Sequence, residues 1–322
     1  MKEIVITPNE AGQRFDKLLG KYLNEAPKSF IYKMLRKKNI VLNEKKATGN
    51  EKLAVGDSVK LFLADETIQK FSRVAGVRTN QELDIIYEDQ HIIMFNKPVG
   101  VLSQKANASD ESMVEYFISY LLNTKQITMD ALHTFRPSVC NRLDRNTSGL
   151  LVAGKSLVGL QVMGQLFKER AMKKFYRCLV SGQVKEKQYV KGYLIKDELT
   201  NKVSVFEEQK EGSLPIETAY EPIWSNGTCT LLEVHLITGR THQIRAHLAS
   251  QKHPIIGDYK YGDRQINDIY KAKYGLSSQL LHAYRLEMPT LTGDLEHLSM
   301  KKFEAPLPKL FAHILEEEQD KG

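Results

Sequence analysis

The sequence predicts an α+β protein: a large body with a mostly antiparallel mixed sheet flanked by helices, preceded by a small N-terminal α/β module. Three observations carry this expectation. From residue 83 onward, strand-like runs outnumber helical ones and lack the regular β-α-β rhythm of a doubly wound sheet. The length, 322 residues, fits two domains at about 150 residues each. The charge is also polarised, because twelve Lys and Arg face only five Asp and Glu between Arg14 and Lys60, which accounts for the whole net charge of +7. A basic segment joined to a near-neutral body fits a polyanion-binding module fused to something else.

The elements follow in order. Between Arg14 and Asn24, the residues Phe15, Leu18, Leu19, Tyr22 and Leu23 recur at helical spacing and form one apolar face. Pro27 interrupts that helix, and a second runs from Ser29 to Lys38 with Ile31, Met34 and Leu35 inward and Lys33, Arg36 and Lys37 on its other sides. Ile40-Val41-Leu42 reads as a short strand, Asn43-Glu44-Lys45 as a turn, and Val59, Leu61 and Leu63 alternate as a further strand. Residues 64–80 have weak periodicity and read as a linker. Asp84-Ile85-Ile86-Tyr87 and His91-Ile92-Ile93-Met94-Phe95 form a hairpin that Lys97-Pro98-Val99-Gly100 ends. Ser109 with Asp110 and Glu111 caps a helix carrying Val114, Phe117, Ile118, Leu121 and Leu122. Leu160, Met163, Leu166 and Phe167 mark another helix, and strands follow at 175–180, 229–237 and 280–288.

Composition excludes several classes. Apolar residues at 42% suffice for a packed core, so a wholly disordered chain is out. No apolar run approaches the roughly 18 residues of a membrane span, and the start of the chain does not read as a signal peptide. Cys140, Cys178 and Cys229 stand far apart without a C-x-x-C pair, which excludes a disulfide scaffold and a zinc ribbon and fits a reducing cytoplasm. The same absence removes a zinc base deaminase.

Three clusters are candidates for the chemistry. In Asn141-Arg142-Leu143-Asp144-Arg145-Asn146-Thr147-Ser148-Gly149-Leu150-Leu151, one carboxylate lies between two arginines, which favour its ionised form, ahead of a hydroxyl-rich turn. On composition alone this is also ordinary turn chemistry. In Thr238-Gly239-Arg240-Thr241-His242-Gln243-Ile244-Arg245-Ala246-His247, a strand ends and a helix begins near Thr241, grouping Arg240, His242 and Arg245 where exposed amides favour anions. His242 and His247 are five apart with no Glu after the first, so the metalloprotease helix signature fails. Phe175-Tyr176-Arg177 places a tyrosine in a buried strand, where most tyrosines are core.

The first run of elements resembles the S-four-like RNA-binding module, named after a small-subunit ribosomal protein. Arg14 to Leu19 is similar to its opening helix, and Lys28 to Ile31 through Asn39 to Asn43 to its second helix and strand; Glu44 departs from the usual Gly. The body closely resembles the RluA-type family of pseudouridine synthases. Arg142-Leu143-Asp144 with Thr147 to Leu151 matches the family signature in register, with Asn141 where His is usual. The run from Gly239 to His247 matches a second hallmark. Lys97 to Gly100, Lys174 to Tyr176, Gly257-Asp258 with Tyr261-Gly262, Leu281 to Ala283, and Phe303 to Pro308 fall in family order.

The resemblance implies a pseudouridine synthase fold and an isomerase that acts on uridines already in RNA, with no cofactor and no metal. It makes Asp144 the carboxylate beside the sugar carbon, by attack or by assisting glycal formation, and Arg245 its partner. Tyr176 becomes the ring that stacks on the target and a participant in the final deprotonation, and Arg142 the residue that fills the vacated space. Arg240 and His242 shape the pocket or contact phosphate, while Lys33, Arg36 and Lys37 bind RNA. The implied organisation is a module at 1–63, a linker at 64–80, a catalytic domain at 81–312 and an acidic tail at 313–322. The expected partner is RNA, ribosomal rather than transfer, with no membrane, a cytoplasmic location and a monomeric state. An RNA-binding assembly factor with an idle site is the competing class, against which the intact Asp144, Tyr176 and Arg245 stand.

Overall fold

A computed structural model of the chain describes residues 1–73, 81–107 and 109–321. They fall into two compact units. One holds residues 1–82 with 114–138 and 154–161, and the other holds the remainder.

In the N-terminal unit, β1 (Lys2–Val5), α1 (Phe15–Tyr22), α2 (Lys28–Arg36), β2 (Ile40–Leu42), β3 (Lys45–Lys46), β4 (Ser58–Leu61) and α3 (Asp65–Phe71) follow one another. The sheet order is β1-β4-β2-β3. The apolar stripes of both helices are buried as their spacing requires: Phe15, Leu18 and Leu19 meet Ile31, Leu35, Ile40 and Leu61 in one core. Lys33, Arg36 and Lys37 stay exposed on α2. Asn43 and Glu44 both take positive φ, +49° and +63°, so β2 and β3 are joined by a two-residue turn of the mirror-image kind. Glu44 therefore adopts the conformation for which Gly is the usual choice. Part of the stretch read as a linker is helical: Ile68 and Phe71 of α3 pack on the core of this unit. Residues 74–80 of that stretch lie outside the described residues.

The rest of the chain forms β5 (Ile85–Glu88), β6 (Ile92–Lys97), α4 (Met113–Asn123), β7 (Ser138–Val139), β8 (Ser148–Gly154), α5 (Leu157–Glu169), β9 (Lys173–Ser181), β10 (Gln188–Asp197), β11 (Lys202–Phe206), β12 (Leu214–Ser225), β13 (Cys229–Leu236), α6 (Gln243–Ser250), α7 (Arg264–Tyr274), β14 (Leu281–Glu287), β15 (Lys302–Glu304) and α8 (Lys309–Gln319); of these, α4 after Met113 and α5 as far as Gln161 belong to the first unit. Eleven strands make one sheet in the order β11-β10-β12-β13-β9-β14-β8-β6-β5, with β7 on β8 and β15 on β14. Strand pairs from β11 to β14 are antiparallel, while β14 and β8 run parallel. The mostly antiparallel α+β fold is as the sequence predicts.

Two positions depart from the sequence reading. Ser109 does not cap α4, which begins at Met113; instead the Asp110 carboxylate accepts the amides of Ala106 and Asn107 in a turn. The presumed acidic tail is α8, whose Phe311 and Ile314 are buried against Leu179, Leu231 and Tyr270. Glu318 is buried there too and accepts hydrogen bonds from Asn226 and Tyr274.

The signature loops are fixed by close backbone approach. Gly149 has φ +111°, and a Cβ there would lie 2.2 Å from the carbonyl oxygen of Ala283 on β14. Only glycine lets β8 pair with β14 at this point. Asn141 bridges to β8 as well: its Oδ1 accepts the Val152 amide at 2.8 Å. The residue that departs from the usual His thus takes a strand-pairing role.

Candidate active site

Asp144 sits in the loop between β7 and β8, with its carboxylate partly exposed. The loop is closed by its own backbone, since the Thr147 amide donates to the Asp144 carbonyl at 3.0 Å. A second segment clasps it. Ser103 Oγ donates to the Leu143 carbonyl and accepts the Leu143 amide, each at 2.9 Å. Lys97 is fully buried and its Nζ donates to the carbonyls of Pro98, Val101 and Arg145 at 2.8–2.9 Å. Burial pulls the Lys97 ammonium down to about 7, and the Asp144 charge pulls it back up. Three carbonyls match the three donors of an ammonium, so the geometry favours the charged form.

The other half of the site grows from the turn between β13 and α6. Gln243 is buried and uses its whole amide: Oε1 accepts from Thr238 Oγ1 and the Arg240 amide, while Nε2 donates to the Glu217 carbonyl and Thr218 Oγ1. That staple presents Arg245 from the first turn of α6. Its guanidinium donates two parallel hydrogen bonds to Asp258, Nε to Oδ2 at 2.7 Å and Nη2 to Oδ1 at 2.9 Å. Nη1 reaches Asp144 Oδ2 at 3.1 Å. Asp258 is buried and also accepts the amides of Lys260 and Tyr261. One arginine therefore ties the buried carboxylate of Asp258 to the more exposed one of Asp144. The two carboxylates hold the guanidinium above its ordinary value against the cost of burial.

His242 caps α6 in the left-handed region, at φ +53°, and its Nε2 lies 3.8 Å from Asp144 Oδ2. Burial lowers its pKa, with the Asp144 charge opposing. Tyr176 projects from β9 and is 8% exposed. Burial, and then the Asp144 charge, raise its pKa further above the ordinary phenol value. Both effects favour the protonated phenol.

The structure thus brings Asp144, Arg245, His242 and Tyr176 into one electrostatic neighbourhood. Arg240 shares the turn, with its Nε buried and without a hydrogen-bond partner among the described residues. Arg142 is exposed two residues before Asp144. Lys33, Arg36 and Lys37 belong to the N-terminal unit. In the sequence Asp258 and Tyr261 stand only as parts of a motif, and a carboxylate and a phenol bracketed by Gly257 and Gly262 are the available signal. His282 and His247 are structural by contrast. Each is buried and pushed down to about 4, and His282 bridges Ser148 Oγ and the Ala305 carbonyl.

A clasped carboxylate, a buried arginine bound to it and a tyrosine on β9 of the same sheet make a site fit to place negative charge beside a substrate carbon. Residues 91–250 match the RNA pseudouridylate synthase family. The chain is 34% identical to the ribosomal large subunit pseudouridine synthase C of Vibrio vulnificus, over 86% of this chain and 85% of that one. It is 32% identical to the protein of the same name from Escherichia coli K12, over 95% and 93%. In fold it is similar to human RNA pseudouridylate synthase domain containing 4, with a TM-score of 0.56, 23% identity, and coverage of 73% of this chain and 92% of that one. The chain belongs to the RluA-type family of RNA pseudouridine synthases.

Proposed function

We propose that the protein converts uridines of large-subunit ribosomal RNA to pseudouridine, with Asp144 supplying the charge at the sugar carbon. The observation that carries this reading is the Asp144–Arg245–Asp258 chain of hydrogen bonds, built where both signature runs meet. The reaction breaks the N1–C1′ bond, turns the uracil and joins C5 to C1′; the C5 proton leaves and N1 gains one, so no electrons are exchanged. A negative carboxylate beside C1′ serves attack on the sugar and glycal formation alike. Arg245 keeps Asp144 aimed. Tyr176 stacks on the target, and Arg142 fills the space left when the uridine swings out, offsetting part of the unstacking cost of a few kcal/mol. Arg240 contacts phosphate at the pocket edge.

The choice of RNA is supported by the names of the relatives, which share nearly the whole length of this chain. Ribosomal RNA as substrate makes the protein cytoplasmic, and it is read as a monomer. Pseudouridine mapping of total RNA from cells with and without the protein tests the assignment. Loss of sites in large-subunit ribosomal RNA is expected; loss confined to transfer RNA would move the substrate, and an unchanged map would leave an assembly factor.

The exposed cations of α2 are read as the RNA-holding face of the N-terminal module. Deleting that module would strip Thr134 of its hydrogen bond to buried Glu10, so point changes are the cleaner test. Replacing Lys33, Arg36 and Lys37 together with Gln is expected to lower the salt slope of binding to large RNA by about two to three units, at nearly one unit per duplex phosphate released. An unchanged slope, measured by filter binding across a salt series, would place the phosphate contacts elsewhere.

A further inference from the structure

Two side chains at the site have no part in the reading above beyond shape, yet they form an ordered relay. The amide N–H of Val203, on β11, donates to Tyr261 Oη at 2.9 Å. Tyr261 Oη in turn lies 2.9 Å from His242 Nδ1. Either atom can donate in this pair; with the Val203 amide already aimed at the phenol oxygen, we assign the phenol's own proton to that ring nitrogen. A neutral imidazole that accepts at Nδ1 carries its hydrogen on Nε2. Burial favours that neutral ring. The Nε2–H then faces Asp144 Oδ2 at 3.8 Å, beyond hydrogen-bond length, while Arg245 takes the same oxygen directly.

The ring is held in place from two sides. Its backbone sits in the left-handed region, which a non-glycine side chain adopts only when its surroundings insist. Tyr261 packs against it edge-on, with ring centres 5.6 Å apart, and the Arg245 guanidinium lies 5.1 Å from the Tyr261 ring centre. A donor fixed this firmly beside the reactive carboxylate has no protein acceptor within hydrogen-bond reach among the described residues. It is shaped for a substrate atom.

Stereochemistry selects the atom. In a uridine the uracil leaves from one face of the ribose, and a carboxylate approaching C1′ comes from the other. The 2′-hydroxyl lies on that second face. A donor less than 4 Å from the carboxylate, on its side of the sugar, meets the 2′-oxygen rather than the departing base.

We propose that His242 donates its Nε2 hydrogen to the ribose 2′-oxygen of the target nucleotide, and that Tyr261 is the positioning residue that fixes His242 in the required tautomer. The site thereby reads ribose over deoxyribose at the reacting nucleotide itself, the group by which proteins tell RNA from DNA. This rests on the assignment of Asp144 to C1′, with the carboxylate opposite the uracil.

The test is a cycle of protein and substrate changes. Single-turnover rates and dissociation constants are measured on an RNA oligonucleotide carrying the mapped uridine, and on the same oligonucleotide with one 2′-deoxyuridine at that position. The unaltered protein should lose between about threefold and tenfold in rate on the deoxy substrate, the worth of one neutral hydrogen bond. His242→Asn suits the left-handed backbone but is too short to reach. It should lose a similar factor on the ribo substrate and show no further loss on the deoxy one. Tyr261→Phe should retain part of the discrimination, with the imidazole 15N spectrum changing from a single Nε2–H tautomer to a mixture. An equal deoxy penalty in the unaltered protein and both variants would overturn the proposal, as would an unaltered spectrum showing the Nδ1–H tautomer or the imidazolium. Inactivity of the unaltered protein on the ribo oligonucleotide would instead overturn the functional reading beneath it.

Discussion

Asp144→Asn is expected to slow pseudouridine formation at least about a hundredfold while leaving RNA affinity and thermal stability nearly unchanged. The substitution is close to isosteric and removes only the charge proposed to act at the sugar carbon. In many proteins, loss of one partner of a buried ion pair would also destabilise the fold. Here the guanidinium of Arg245 keeps its two hydrogen bonds to Asp258, so no buried cation is abandoned. Asp144 is itself 29% exposed at its side chain, against 1% for Asp258, and most of the structural burden falls on the latter. The measurements are single-turnover product formation, RNA binding and a thermal unfolding curve. A variant that keeps more than about a tenth of the rate, a barrier change of only 1.4 kcal/mol, would move the chemistry to another group. A large fall in unfolding temperature would show that Asp144 supports the fold as well.

The legibility of this molecule in its sequence follows burial. The strands at the centre of the sheet, β9, β13 and β14, read as apolar runs because both of their faces are largely covered. The outer strands β10 to β12 did not read as strands. They carry Lys191, Lys196, Glu217 and Glu221 along half-exposed faces, and such a pattern is hard to tell from a polar loop. The C-terminal helix was hidden for a related reason: Glu316, Glu317 and Glu318 look like a solvated tail, and only the fold shows Glu318 buried between Asn226 and Tyr274. At the site, the signature runs identify Asp144 and Arg245, but their coupling to Asp258 depends on a turn thirteen residues past Arg245. The Val203–Tyr261 contact spans 58 residues and joins a strand that the sequence did not announce. No local pattern encodes it.

Arg245→Ala should damage both stability and rate, whereas Arg142→Ala should damage rate alone. Arg245 is buried between two carboxylates, and its loss leaves Asp258 with two backbone amides but no cation. An uncompensated buried charge costs about 3–5 kcal/mol. For a domain of this size the unfolding temperature should fall on the order of 10 °C. Asp144 would also lose its anchor, so the rate on any substrate should fall with it. Arg142 is exposed, and truncating it should change stability by no more than about 0.5 kcal/mol. The task proposed for it arises only when a uridine leaves a stacked helix, so Arg142→Ala should slow modification of structured RNA by about tenfold or more and spare an unstructured oligonucleotide. Thermal unfolding and single-turnover kinetics on both RNAs separate the two residues. Arg245→Lys sharpens the comparison, because it keeps the charge but cannot make the paired hydrogen bonds to Asp258. It should recover part of the stability and little of the rate, since a point charge neutralises Asp258 without aiming Asp144. Equal unfolding penalties for Arg142→Ala and Arg245→Ala would overturn this division of labour, and full recovery of the rate in Arg245→Lys would show that charge alone, not the fork of the guanidinium, positions the carboxylate.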